Sequence, residues 1–119
     1  MDNQPAASSP VADLLKQCPI KSLNTMAHIC KAIQGDALRL KNCHPFTREL
    51  WGSLWLFAHN GDLRNYKPCL TGDYLPVGNT DSELAFCELL QTLRAISSRE
   101  PCAIDRVFDA LCEVAQRTA

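Results

Sequence analysis

Thr80-Asp81-Ser82-Glu83-Leu84-Ala85-Phe86-Cys87-Glu88-Leu89-Leu90-Gln91-Thr92-Leu93-Arg94-Ala95-Ile96 is the stretch on which the fold turns. It opens with the spacing of a capping box, Thr80 as N-cap with Glu83 reaching back to it. Phe86, Leu89, Leu90, Leu93 and Ile96 then recur at intervals of three and four, one face of a helix of about four turns. Downstream, Pro101 opens a last helix whose stripe is Ile104, Val107, Phe108, Leu111, Val114 and Ala115. Upstream the pattern changes. Asp62 to Lys67 reads as a single helical turn stopped by Pro68, and Trp51 to His59 as a buried strand ended at Asn60-Gly61. Residues 36–50, after a turn at Gly35-Asp36, read as irregular loop. Ser22 to Ile29 alternates apolar and polar residues as a half-buried strand does. Ser9 and Pro10 start a first helix as N-cap and first residue, with Val11, Leu14 and Leu15 on one side and Pro19 at its end. The fold class is therefore α+β. Two strands alone leave free sheet edges, which invite pairing with other chains, self-association among them.

The 119 residues, 13.2 kDa in mass, fit a single domain spanning 1–119. Hydrophobic residues make up 46% and charged residues 21%, which excludes a disordered chain. Twelve Lys and Arg against thirteen Asp and Glu give a net charge of −1, so no global field draws nucleic acid or an anionic membrane. No apolar run approaches the ~20 residues that cross a bilayer. The start, Met1-Asp2-Asn3-Gln4-Pro5, is the opposite of a signal peptide, and a cytoplasmic location is expected. Seven cysteines, an odd count without a Cys-x-x-Cys pair, read as reduced buried thiols rather than a disulfide framework or a zinc site.

Three segments carry more than fold information: Asn42-Cys43-His44-Pro45-Phe46, Phe57-Ala58-His59-Asn60-Gly61-Asp62-Leu63, and Gly78-Asn79-Thr80-Asp81-Ser82-Glu83. Singly, each has a plain structural explanation. Asn-Gly is a hairpin signal, although no strand is read after Gly61. Thr80 and Glu83 cap a helix, and Asp81 in its first turn suits the helix dipole. His44 serves as well in an ordinary loop.

Together, and in this order, the segments resemble class II glutamine amidotransferases, glutaminases of the N-terminal-nucleophile hydrolase superfamily, and their stand-alone bacterial branch most of all. Pro19-Ile20-Lys21-Ser22, His28-Ile29 and the run from Asn42 to Trp51 also follow that branch, and the likeness covers roughly residues 4–118. The resemblance implies a partial antiparallel αββα sandwich of that superfamily, lacking its first strands. It implies hydrolysis of the side-chain amide of L-glutamine, or of another γ-glutamyl compound, with no cofactor and no metal. In the family an N-terminal Cys attacks the amide with its own α-amine as base. The oxyanion is held by an Asn side chain and a Gly N–H, here Asn60 and Gly61. Each such donor is worth ~3–4 kcal/mol to the transition state. The resemblance gives Asp81 the substrate's α-ammonium and places His59 in the substrate site.

Two departures shape the expectation. Residue 2 is Asp2, with no Cys near it, and the family's opening strand and Gly-Trp-Gly region have no counterpart. The family's Arg after His-Ile, which grips the substrate carboxylate, is Cys30, followed by Lys31. A thiol does not replace a bidentate guanidinium. Cys43 beside His44 is no obvious nucleophile–base pair, because neighbours in an extended segment face opposite ways. The expectation is an N-terminally truncated amidotransferase domain, inactive for want of its nucleophile. The alternative is a non-catalytic binding or interaction module derived from the same fold.

Overall fold

The computed structural model describes residues 4–29 and 39–118. Its secondary structure is α1 (Pro10–Gln17), β1 (Phe46–Leu50), β2 (Ser53–Phe57), α2 (Asp81–Ile96) and α3 (Ile104–Thr118), with 3-10 turns at Ala6–Ser8 and Leu40–Asn42. Among the described residues this is an α+β arrangement of one two-stranded antiparallel sheet and three α-helices.

The expected helices form where their signals stand. Ser9 caps α1, its hydroxyl accepting from Ala12 N–H at 3.1 Å, with Pro10 as first residue. Thr80 caps α2 by accepting from Glu83 N–H at 3.2 Å. The second half of the capping box is absent, for Glu83 turns to other donors. In the apolar stripe of α2, Phe86, Leu89, Leu90 and Leu93 are buried and Ile96 is not. The last helix begins at Ile104 rather than Pro101. It packs on α2 through Val107, Ala110 and Val114, while Ile104, Phe108 and Leu111 face outward.

The strands fall elsewhere than the alternation predicts. Ser22 to Ile29 forms no strand, and Leu23 and Ile29 are exposed, since alternation alone supplies no neighbouring ladder for its backbone groups. Residues 46–50, expected as loop, are β1. Within the expected strand 51–59, Trp51 and Gly52 are instead a two-residue hairpin loop, with φ of 56° and 73°. Positive φ at both positions matches the twist of a tight hairpin. Trp51 is held in this unusual backbone by its indole N–H, which donates to Ser97 carbonyl at 2.8 Å. The register pairs Phe46 with Phe57, Arg48 with Trp55 and Leu50 with Ser53.

Those pairs share the face turned to α2, where Phe57 stacks on Phe86 with ring centroids 5.2 Å apart. The opposite face is open, so β2 is not a buried strand: Leu54 is 70% exposed. Asp62 to Lys67 is not a helical turn. Tyr66 N–H closes a β-turn on Leu63 carbonyl at 3.2 Å, with Asn65 at φ 63°. The predicted turn at Gly35-Asp36 lies outside the described residues.

Candidate functional site

The chain after β2 meets the N-terminus of α2, and this junction gathers three of the singled-out segments. Asp81 opens α2 with both carboxylate oxygens engaged. Oδ2 accepts from Leu63 N–H at 2.5 Å; Oδ1 accepts from Ser82 N–H at 2.7 Å and from the Ser82 hydroxyl at 3.3 Å. Asp81 thereby straps the 60–63 loop to the helix. Ser82, buried, stands 3.1 Å from His59 Nδ1. The His59 ring in turn lies against Gly61, where a Cβ would come within 2.9 Å of its Cε1 and 3.0 Å of its Nε2. Gly61 also has φ 157°, so the position suits glycine on both counts. Asn60 and Gly61 are exposed, and among the described residues neither the Asn60 amide nor the Gly61 N–H has a hydrogen-bond partner. Two donors are left presented to solvent on an anchored loop.

A second set of bonds holds that junction to the rest of the molecule. Glu83, 1% exposed, accepts from Val77 N–H at 3.0 Å and Gly78 N–H at 2.7 Å and pairs with the Arg48 guanidinium from β1. Asn42 and Asn79 exchange two bonds, the Asn42 amide donating to Asn79 Oδ1 at 2.7 Å and Asn79 N–H to Asn42 Oδ1 at 3.1 Å. A Cβ on Gly78 would lie 2.2 Å from Asn42 Oδ1, so only glycine lets these chains approach so closely.

His44 sits behind this junction. Its ring packs on His28 and Phe46 at centroid distances of 4.2 and 4.6 Å, and both ring nitrogens are buried without hydrogen-bond partners. Burial pushes its pKa below the ordinary histidine value, helped by His28 and His59 and opposed by Asp81. The Cys43 thiol donates to Arg39 carbonyl at 3.5 Å. Cys30 and Lys31 lie outside the described residues. Among the described residues, no group of three or more His, Cys, Asp or Glu side chains is arranged to hold a metal ion.

The structure thus brings His59, Asn60, Gly61 and Asp81 together at one end of α2. Arg48, Ser82, Glu83 and the Asn42–Asn79 pair, which sequence reasoning did not assign to the site, complete its support. One signal was available: Thr80 alone suffices as a cap, yet three further polar residues follow it into the buried turn of the helix. Two grooves, of about 570 Å³ between α2 and α3 and about 480 Å³ beside Glu88, lie away from this junction.

The family model for class II glutamine amidotransferases matches residues 1–119. The chain belongs to this family. A Haemophilus influenzae protein named provisionally as a glutamine amidotransferase is 47% identical over 119 residues, covering 99% of this chain and 40% of that protein. YafJ of Escherichia coli K12, named in the same provisional way, is 48% identical over 114 residues, 96% of this chain and 44% of its own length. The 2.0 Å crystal structure of a predicted glutamine amidotransferase from Pseudomonas aeruginosa superposes with a TM-score of 0.60 at 44% identity, covering 66% of this chain and 30% of that one. The chain therefore spans less than half the length of these relatives. No helix of its described residues is long and apolar enough to cross a membrane.

Proposed function

We propose that these 119 residues form the carboxamide-binding part of a glutaminase site, with Asn60 and Gly61 as the oxyanion donors and His59 and Asp81 on the substrate. The observation that carries this reading is the pair of unpartnered donors, Asn60 amide and Gly61 N–H, displayed on a loop that Asp81 and Ser82 pin to the start of α2. Donors aimed in advance need no rearrangement when charge develops on a carbonyl oxygen. Asp81 keeps lone pairs beyond those used by Leu63 and Ser82, so it can also receive the substrate's ammonium group. L-glutamine is the proposed ligand, with other γ-glutamyl compounds as variants of it.

Hydrolysis needs a nucleophile as well. None of the seven cysteines stands first or second in these 119 residues. The polypeptide of these residues alone is therefore proposed to bind the amide without cleaving it. The partial Ntn-type sandwich belongs to the same proposal, as does strand addition, from a longer chain or a second copy, at the free hairpin edges beside exposed Leu54 and Leu56.

The test is an amide-resolved NMR titration of the 119-residue chain with L-glutamine, alongside an ammonia assay. Shifts centred on Asn60 and Gly61 that vanish in Asn60→Ala support the reading; Asn60 is exposed, so the variant is expected to fold. The reading fails if glutamine leaves both residues untouched. Steady ammonia release by the isolated chain overturns the proposed lack of cleavage.

A further inference from the structure

We infer that Asp81, Ser82 and His59 form a hydrogen-bonded chain that fixes the tautomer of His59 and presents its Nε2 lone pair over Gly61, as acceptor for the N–H of a primary carboxamide. This rests on the reading of Asn60 and Gly61 as carbonyl-oxygen donors and adds a partner for the other half of the amide.

The direction of the chain follows from which groups can donate. An ionised carboxylate only accepts, so in the 3.3 Å contact between Ser82 Oγ and Asp81 Oδ1 the hydroxyl proton lies toward Asp81. Ser82 has one such proton, and its oxygen then faces His59 with lone pairs alone. With the hydroxyl proton on the Asp81 side, the 3.1 Å contact assigns the hydrogen to His59 Nδ1. A neutral imidazole has a single N–H, so Nε2 is left as an acceptor. Among the described residues nothing bonds Nε2, and it lies 3.0 Å from the point where a Cβ of Gly61 would stand. Burial of Ser82 at 3% exposure keeps water from competing for its hydroxyl.

The arrangement distinguishes an amide from an acid. A carboxamide offers an oxygen to Asn60 and Gly61 and an N–H to His59 Nε2. A carboxylate offers only lone pairs, which would face the Nε2 lone pair and be repelled. Ser82 is thus a positioning residue that acts through His59, and His59 selects glutamine over glutamate.

Long-range ¹H–¹⁵N correlation spectra of the histidine rings in the 119-residue chain at pH 8.5, with His59 assigned by its loss in His59→Gln, read the tautomer directly. The wild type is expected to show protonated Nδ1 and bare Nε2 at His59, and Ser82→Ala to convert it to the Nε2–H form. A wild-type ring already in the Nε2–H form, or a Ser82→Ala ring that keeps Nδ1–H, overturns the chain without touching the wider functional reading. L-glutamine is then expected to shift His59 Nε2 in the wild type, and L-glutamate to leave it unmoved. In Ser82→Ala, glutamine is expected to bind about tenfold more weakly, the worth of one hydrogen bond, while the Gly61 amide still responds. A Gly61 response without one at Nε2 overturns the role of His59 but spares the oxyanion donors. Silence at both overturns the functional reading and this inference with it.

Discussion

The two ends of α2 are held by opposite means. At its start, Thr80, Asp81, Ser82 and Glu83 are satisfied by polar groups of the helix's own first turn, Arg48 on β1, His59, Leu63, Val77 and Gly78. From Phe86 onward the helix is held by apolar burial against the hairpin and α3, with Leu90 and Leu93 fully enclosed. Polar ties are fewer in that half: Gln91 holds Thr71 and the Cys69 carbonyl, and buried Glu88 takes Arg117 from α3 at 2.5 Å and accepts from the Tyr66 hydroxyl, whose pKa is raised by burial and by this bond to Glu88. Apolar packing is non-directional and tolerates small shifts. Hydrogen bonds to a buried carboxylate are directional, and the end that carries Asn60 and Gly61 is the end built from them. On the proposed reading, accuracy is concentrated where donors must be aimed.

The comparison breaks most sharply at Glu83. Glu83→Ala takes the carboxylate from the Arg48 guanidinium, which keeps only the Thr47 and Leu75 carbonyls, and leaves two backbone N–H groups without their acceptor; a loss of about 3–5 kcal/mol is expected in urea unfolding. The same loss should broaden the Asn60 and Gly61 amide signals, because the junction supporting them loosens. Leu90→Ala tests the other half. It removes a fully buried side chain and is expected to cost about 3 kcal/mol, yet to leave those two amide signals in place. Equal broadening in both variants would erase the proposed division of labour.

Thr80→Ala removes a single cap bond at the polar end and is expected to cost about 1 kcal/mol by thermal or urea unfolding. His44 gives the smallest effect, a slope rather than a step. Its pKa is lowered in the fold, so the unfolded chain binds the proton more readily. Its contribution is fully present above the unfolded value of 6.5 and is lost as pH falls below it toward the folded value. Unfolding free energies at pH 8 and pH 5.5 should therefore differ more in the wild type than in His44→Phe.

Much of this was legible in the residues themselves. The Ser9 and Thr80 caps and the α2 stripe are local signals, and local signals survive in a single sequence. The hairpin was hidden because Arg48 occupies a position facing the core, where a charge reads as loop; its partner Glu83 is 35 residues away. Its turn was hidden because Trp51-Gly52 lacks the usual Asn or Asp, whereas Asn60-Gly61, which has one, leads into no strand. His59, Asn60, Gly61 and Asp81 stand out as motifs. Ser82, Glu83, Asn42 and Asn79 lie in the same motifs, but their supporting bonds are not legible there, since a buried polar residue is recognised only by partners that the fold supplies.

Both tryptophans, Trp51 and Trp55, lie on the hairpin, packed edge to face at 5.7 Å. The indole of Trp51 is tethered to the residue that ends α2, and that of Trp55 to Leu50 carbonyl at 3.2 Å. Intrinsic fluorescence of this chain is therefore a local gauge. It reports when the hairpin lifts from the central helix, and stays silent if α1 or the outward face of α3 frays first. Unfolding followed by emission and by far-ultraviolet dichroism should separate those events, the dichroism leading if the peripheral helices melt ahead of the centre.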